Sequence, residues 1–163
     1  MKRMTLKTMI LFAVLGCVSV AEASTFDTVM EHYEPVRVAL MGDSMDGVNE
    51  HGAAMAAALR GLKADFSADR AGTSRDAAPV VREKLDAMIA AADGIAEASS
   101  LQAARDAFYQ LSMPLVRWHD GVSEDSRPAV AYCRMHKKSW LQADGEIGNP
   151  YDGMPRCGGI VSP

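Results

Sequence analysis

Two short stretches near the C-terminus carry the side chains best suited to chemistry. The stretch AYCRMHKKSW contains Cys133, Met135 and His136, and the stretch NPYDGMPRCGG contains Met154 and Cys157. Thiolate and thioether sulfurs are soft ligands that select Cu(I), and imidazole suits copper or zinc. These five residues therefore form a candidate metal site. The ion expected there is copper as Cu(I), with Ag(I) as the alternative soft cation.

Zinc fits this set of side chains less well than copper does. Structural zinc sites are built from four Cys and His ligands, and methionine is not among their usual ligands. The sequence also has no CxxC pair of the kind that zinc ribbons use. The types of ligand therefore favour a copper site over a zinc finger.

A disulfide is the other interpretation of the two tail cysteines. In an oxidising compartment, Cys133 and Cys157 would be expected to pair. Closing such a loop stabilises a fold by about 3 kcal/mol. The two interpretations are compatible, because a pair oxidised at rest can supply thiolates after reduction. Both therefore remain open on the sequence alone.

The N-terminus has the pattern of a secretory signal. Lys2, Arg3 and Lys7 precede the apolar run MILFAVLGCVSV, and the small-x-small triplet AEA ends at Ala23. This run is shorter than the roughly 20 residues that a transmembrane helix needs. We therefore expect residues 1–23 to be a signal peptide and the mature protein to be periplasmic. Lipidation of Cys17, within VLGC, is the alternative and would give a membrane-anchored lipoprotein.

Composition and charge narrow the range of partners. The chain is 48% hydrophobic and 23% charged, which is typical of a globular protein. Its formal net charge is −4, and it would become −6 without residues 1–23. An acidic chain without clustered Lys and Arg is a poor ligand for nucleic acid or for anionic lipid.

Four hydrophobic stripes at helical spacing indicate the elements that must position the tail. They comprise Phe26, Val29, Met30, Tyr33, Val36 and Leu40; Val48, Gly52, Met55, Leu59 and Leu62; Val81, Leu85, Met88, Ala92 and Ile95; and Leu101, Ala104, Phe108, Leu111, Leu115 and Trp118. The connections between them are short to moderate, so the pattern predicts an all-α, antiparallel four-helix bundle over residues 24–122. Pro35 and Pro114 are expected to kink the first and last helices.

The segment from 123 to 163 has no helical periodicity. We expect it to be irregular, to pack on the bundle within the same domain, and to be held there by a cross-link or a metal. Trp140 is the expected hydrophobic plug between this segment and the helices.

The tail also resembles a known family. The stretch AYCRMHKKSWLQADGEIGNPYDGMPRCGG is similar to the C-terminal signature of a bacterial exported domain of unknown function. That domain also occurs fused to adaptor (membrane fusion) subunits of copper and silver efflux systems. Upstream, YEPVRVALMGDSMDGV resembles its first helix and turn, and ARDAFYQLSMPL resembles its last helix.

The resemblance implies a helical bundle with a copper-binding C-terminal segment. Cys133 and Met135 match the first cluster of the family, and Met154 and Cys157 match the second. His136 stands where the family has a small residue, so its place in the site rests on its own chemistry. The implied partner is a copper efflux adaptor or another periplasmic copper protein.

Catalytic motifs are absent from the sequence. It contains no GxSxG, phosphate loop, HExxH or CxxCH. We therefore expect a binding protein and not an enzyme: an exported copper protein for tolerance or delivery. The alternative is a disulfide-tied helical interaction module that binds no metal.

Overall fold

A computed structural model describes residues 23–124, 127–143, 145–151 and 153–162. The predicted signal peptide lies outside these residues except for Ala23, and so does the alternative lipidation site at Cys17. Within the described ranges, no helix combines the length and the apolar character that crossing a membrane requires.

Helices make up most of the described chain. They are α1 (Thr25–Met41), α2 (Val48–Ala64), α3 (Ala68–Ala71), α4 (Ala78–Ala96) and α5 (Leu101–His119). The four long helices pack in succession, with α1 on α2, α2 on α4 and α4 on α5. The predicted helix count was one short in the described part of the chain, because the single-turn α3 forms within the connection between α2 and α4.

The start of α1 is fixed by a reciprocal cap. The Ser24 side chain accepts a hydrogen bond from the Asp27 backbone N–H at 3.2 Å, and the Asp27 carboxylate accepts one from the Ser24 N–H at 3.1 Å. This capping box satisfies two of the backbone donors that a helix start leaves open. The helix then continues through Pro35 to Met41, as α5 continues through Pro114.

The predicted stripes form the core. Of the 22 stripe residues, all are buried except Met30 and Leu101, which are partly buried against the same core. Each large apolar side chain buried in this way stabilises the fold by about 1.5–3 kcal/mol. The four long helices therefore occupy the positions and present the faces that the sequence predicts.

Tyr33 links this core to the C-terminal segment. Its ring stacks on Phe108 at a centroid distance of 4.4 Å, and its hydroxyl lies 2.7 Å from the Ser112 hydroxyl. The same oxygen accepts a hydrogen bond from the Leu141 backbone N–H at 3.3 Å. Burial raises the pKa of Tyr33 well above its ordinary value, despite the lowering effect of these hydrogen bonds, so the phenol stays neutral.

The C-terminal segment is not irregular, so the all-α prediction was wrong. It forms three short strands, β1 (Ala129–Cys133), β2 (Lys138–Gln142) and β3 (Gly159–Ser162), in the order β2-β1-β3. Both pairings are antiparallel, and Ala131 faces Trp140 on one side and Ile160 on the other. A ladder satisfies the buried backbone groups that an irregular segment would leave unpaired. The sheet packs on α5 through β2.

Two arginines fasten the loop between β2 and β3 to the helices. Arg37 of α1 donates to the Gly148 carbonyl at 2.6 Å while Glu34 holds its guanidinium through an ion pair. Arg105 of α5 donates to the Pro150 carbonyl at 3.0 Å. Each guanidinium is almost fully buried. The loop is thus anchored from two helices at once.

Candidate metal centre

The two tail cysteines are joined in a disulfide. The Cα atoms of Cys133 and Cys157 are 5.7 Å apart, and the residues are 24 positions apart in the chain. The pairing of β1 with β3 brings them together. Tyr132 of β1 faces Gly159 of β3, and because the strands are antiparallel, Cys133 and Cys157 both lie beyond this pair on the same side. Cys133 is fully buried and Cys157 half-buried. In this form, neither residue offers a thiolate.

The two candidate methionines lie at the same end of the sheet. Met135 is in the turn between β1 and β2, is 73% exposed, and lines a shallow cleft together with Cys157 and Arg134. Met154 is 37% exposed, and its carbonyl accepts a hydrogen bond from the Cys157 N–H at 2.9 Å. The structure therefore places Met135 in one cleft with Cys157 and brings the Met154 backbone into contact with the same cysteine.

His136 follows Met135 in the same turn and is half-buried. Its Nε2 atom is buried and makes no hydrogen bond within the described part of the chain. A buried ring nitrogen without a partner carries an energetic cost that a ligand would relieve. Its position in the turn keeps His136 among the candidate ligands.

Glycine is required immediately after the second cysteine. Gly158 has a φ of +139°, and a Cβ there would lie 2.7 Å from the Trp140 ring atom Cη2. The indole of Trp140 is fully buried, as the predicted plug should be. A side chain at position 158 would strain the backbone and push this ring aside. The Cys-Gly pair therefore lets the chain pass closely over Trp140.

The NPY sequence supports the second cysteine. The Asn149 side chain donates to the Cys157 carbonyl at 2.9 Å, and its own oxygen accepts from the Tyr151 N–H at 2.8 Å. The Tyr151 hydroxyl donates to the Ser139 carbonyl of β2 at 3.1 Å. Burial raises the pKa of Tyr151 well above its ordinary value, so this donor is kept protonated. The motif is thus a scaffold for the turn and supplies no ligand of its own.

Hard and borderline ligands are sparse around the cysteines. Among the described residues, no group of three or more His, Cys, Asp and Glu side chains is arranged to hold a metal ion. A metal at this end of the sheet would therefore depend on methionine sulfur as well as on the cysteines. Methionine sulfur is a ligand for Cu(I) and a poor one for zinc.

Sequence reasoning missed a second cluster of potential ligands. His32 of α1 and His51 of α2 face each other with their Nδ1 atoms 3.0 Å apart. Along the sequence, His32 has no ligand-type residue at a useful spacing, and His51, four residues before Met55, is expected to be a surface or packing histidine. A signal was nevertheless present, because His32 precedes the stripe residue Tyr33 and His51 precedes the stripe residue Gly52. Residues beside a stripe flank the seam between two packed helices.

Compared with protein-family models, with curated proteins and with solved structures, the chain has no match. The resemblance to the efflux-associated domain therefore stays a prediction. The case for function rests on the chemistry and geometry of these residues.

Proposed function

We propose that this is an exported periplasmic protein that binds Cu(I) through Cys133, Met135, Met154 and Cys157 once their disulfide is reduced. The proposal is supported by the Cys133–Cys157 pairing, by the cleft that Met135 lines with Cys157, and by the backbone hydrogen bond between Met154 and Cys157. Ag(I) would bind by the same soft-ligand chemistry. An antiparallel arrangement of the four long helices would serve as the rigid support. The role would be copper tolerance or delivery, with a copper efflux adaptor or another periplasmic copper protein as partner.

Loading requires a change in the oxidation state of sulfur. Two electrons and two protons from a dithiol reductant convert the disulfide to two thiols, and the reductant becomes a disulfide. Metal binding then releases the thiol protons. Arg134 lines the cleft beside Cys157, and a nearby cation favours the thiolate. The two methionines complete the set with neutral sulfur. His136 is the additional candidate, because its buried Nε2 has no hydrogen-bond partner among the described residues.

Competition against a Cu(I) chelator under reducing conditions tests this proposal. Reduced wild-type protein is expected to take up about one Cu(I) per chain and to respond much more weakly to Zn²⁺. Cys133→Ser and Cys157→Ser should each weaken Cu(I) binding about 100-fold, which corresponds to about 2.7 kcal/mol. Met135→Leu and Met154→Leu should weaken it about tenfold, and His136→Ala by less.

Met113→Leu is the matched control for the methionine variants. Met113 is 51% exposed, lies on α5 and belongs to neither tail stretch, so its replacement should leave the affinity unchanged. If the reduced wild-type protein binds Cu(I) no more tightly than the two cysteine variants do, the copper proposal fails.

The disulfide itself favours a second candidate function. A bundle whose tail is locked by Cys133–Cys157 could act as a helical interaction module that binds no metal. The two functions differ once the disulfide is reduced: the module predicts no uptake of Cu(I), and the copper protein predicts about one Cu(I) per chain.

The cross-link should also contribute measurably to stability. Replacing both cysteines with serine is expected to lower the free energy of unfolding by about 3 kcal/mol, because the unfolded chain regains the freedom of the closed loop. Urea unfolding of the oxidised protein and of the double variant measures this difference. A difference below about 1 kcal/mol would mean that the sheet and the arginine anchors hold the tail without the disulfide.

A further inference from the structure

The pair formed by His32 and His51 is built into the contact between α1 and α2. Both side chains are half-buried, their ring centroids are 5.3 Å apart, and the ring planes are inclined by 41°. The two Nδ1 atoms face each other at 3.0 Å. Without a ligand, the Nδ1–H of one ring donates to the unprotonated Nδ1 of the other, whose own hydrogen is then on Nε2.

This spacing suits the coordination of one metal ion by both rings. Metal–nitrogen bonds to imidazole are about 2.0–2.1 Å long, so nitrogens 3.0 Å apart subtend an angle of about 95° at the metal. That angle matches neighbouring positions of a square-planar or tetragonal ion, which is the geometry typical of Cu(II) and Ni(II). It is less favourable for tetrahedral Zn²⁺. A small rotation about the soft χ2 angle of each ring would direct both lone pairs at a common point.

The backbone beside His51 is held firmly. His51 is followed by Gly52, where a Cβ would lie 2.6 Å from the Ala96 backbone nitrogen of α4, so α2 and α4 are in direct backbone contact there. The Cδ2 and Nε2 edge of the His51 ring lies beside Gly47, and its Nδ1 faces His32. The His51 ring is therefore placed by a fixed helix with its Nδ1 turned towards the second histidine.

We propose that His32 and His51 form a bis-imidazole site for a divalent transition metal, with Cu(II) as the preferred ion. Within the described residues, no third His, Cys, Asp or Glu joins them, so water completes the coordination. The site differs from the sulfur cluster in both ligand type and location, and it does not depend on the proposed Cu(I) function. Neutral imidazole nitrogens bind Cu(II) in preference to other divalent first-row ions.

Titration of the oxidised, tag-free protein with Cu²⁺ tests this site, because the disulfide keeps the cysteine thiols out of the measurement. Electron paramagnetic resonance of the wild-type complex should show one Cu(II) with nitrogen couplings from two imidazoles. His32→Gln and His51→Gln should each weaken Cu²⁺ binding at least about tenfold. His136→Gln removes the tail histidine and should weaken Cu²⁺ binding much less than either of these variants. Circular dichroism of each variant checks that the helices are intact.

Three results would overturn the proposal. One is a wild-type spectrum with fewer than two coordinated imidazoles, which is decisive even if a variant fails to fold. Another is a wild-type affinity no greater than that of the His32→Gln/His51→Gln double variant, which would leave the pair as a hydrogen bond between helices. Loss of binding in His136→Gln equal to that in His51→Gln would place the ion at the tail and would also contradict the assignment.

Discussion

Replacing Trp140 with alanine is expected to lower the free energy of unfolding by about 3–5 kcal/mol. The indole is fully buried in β2, and its N–H donates to the Gln142 side chain at 3.0 Å. Its ring meets Tyr151 edge to face at a centroid distance of 6.0 Å and lies against the backbone of Gly158. Alanine would leave a cavity between the sheet and the turn that carries Cys157. Urea unfolding followed by circular dichroism measures the loss.

The control for Trp140→Ala is Met135→Ala in the adjoining turn. Met135 is largely exposed, so its replacement should change the free energy of unfolding by no more than about 0.5 kcal/mol. Trp140→Phe should lower the free energy of unfolding by an amount between those of the two alanine variants, because a smaller ring fills part of the cavity. A loss below about 1 kcal/mol for Trp140→Ala would show that the tail does not depend on this side chain.

Replacing Arg105 with methionine is also expected to lower the free energy of unfolding, by about 3–5 kcal/mol. The guanidinium donates to two buried carbonyls, that of Leu40 at 2.8 Å and that of Pro150 at 3.0 Å. Hydrogen bonds to a charged group contribute about 1.5–3 kcal/mol each, and methionine can replace neither. The ion pair with Asp43 adds little, since that carboxylate is 65% exposed. Thermal and urea unfolding of the variant give the measurement.

Arg117→Met provides the comparison on the same helix. Arg117 is exposed on α5, so its loss should change the free energy of unfolding by less than about 0.5 kcal/mol. Equal stabilities of the two variants would contradict an anchoring role for Arg105.

The long helices could be predicted because each buries one continuous stripe. Residues such as Phe108 and Leu111 recur at spacings of three and four. This period identifies a helix even where the residues at its two ends are not defined by the sequence. The strands gave no comparable signal. Ala129, Val130 and Ala131 are all buried, so β1 lacks the alternation of a half-exposed strand. The turn after it contains no Gly or Asn, and Lys137 adopts the left-handed conformation instead, with a φ of +54°.

For the two cysteines of the candidate site, the sequence predicted their proximity and left their chemical state open. Residue types and compartment paired Cys133 with Cys157, but a separation of 24 residues is compatible with both a disulfide and a metal-bound dithiolate. The structure has the disulfide. The contact between His32 and His51 depends on how α1 and α2 are rotated about their axes, which the spacing along one helix does not define.

The position of the disulfide also affects how β3 pairs with β1. β3 has four residues, pairs with β1 at one edge of the described sheet, and begins two positions after Cys157. With Cys157 bonded to the end of β1, the effective local concentration of β3 beside β1 is on the order of millimolar or higher. A strand that separates from the sheet therefore re-pairs within its own chain before it meets another molecule. The cross-link thus protects an exposed edge from strand exchange between copies, a hazard that short terminal elements otherwise carry.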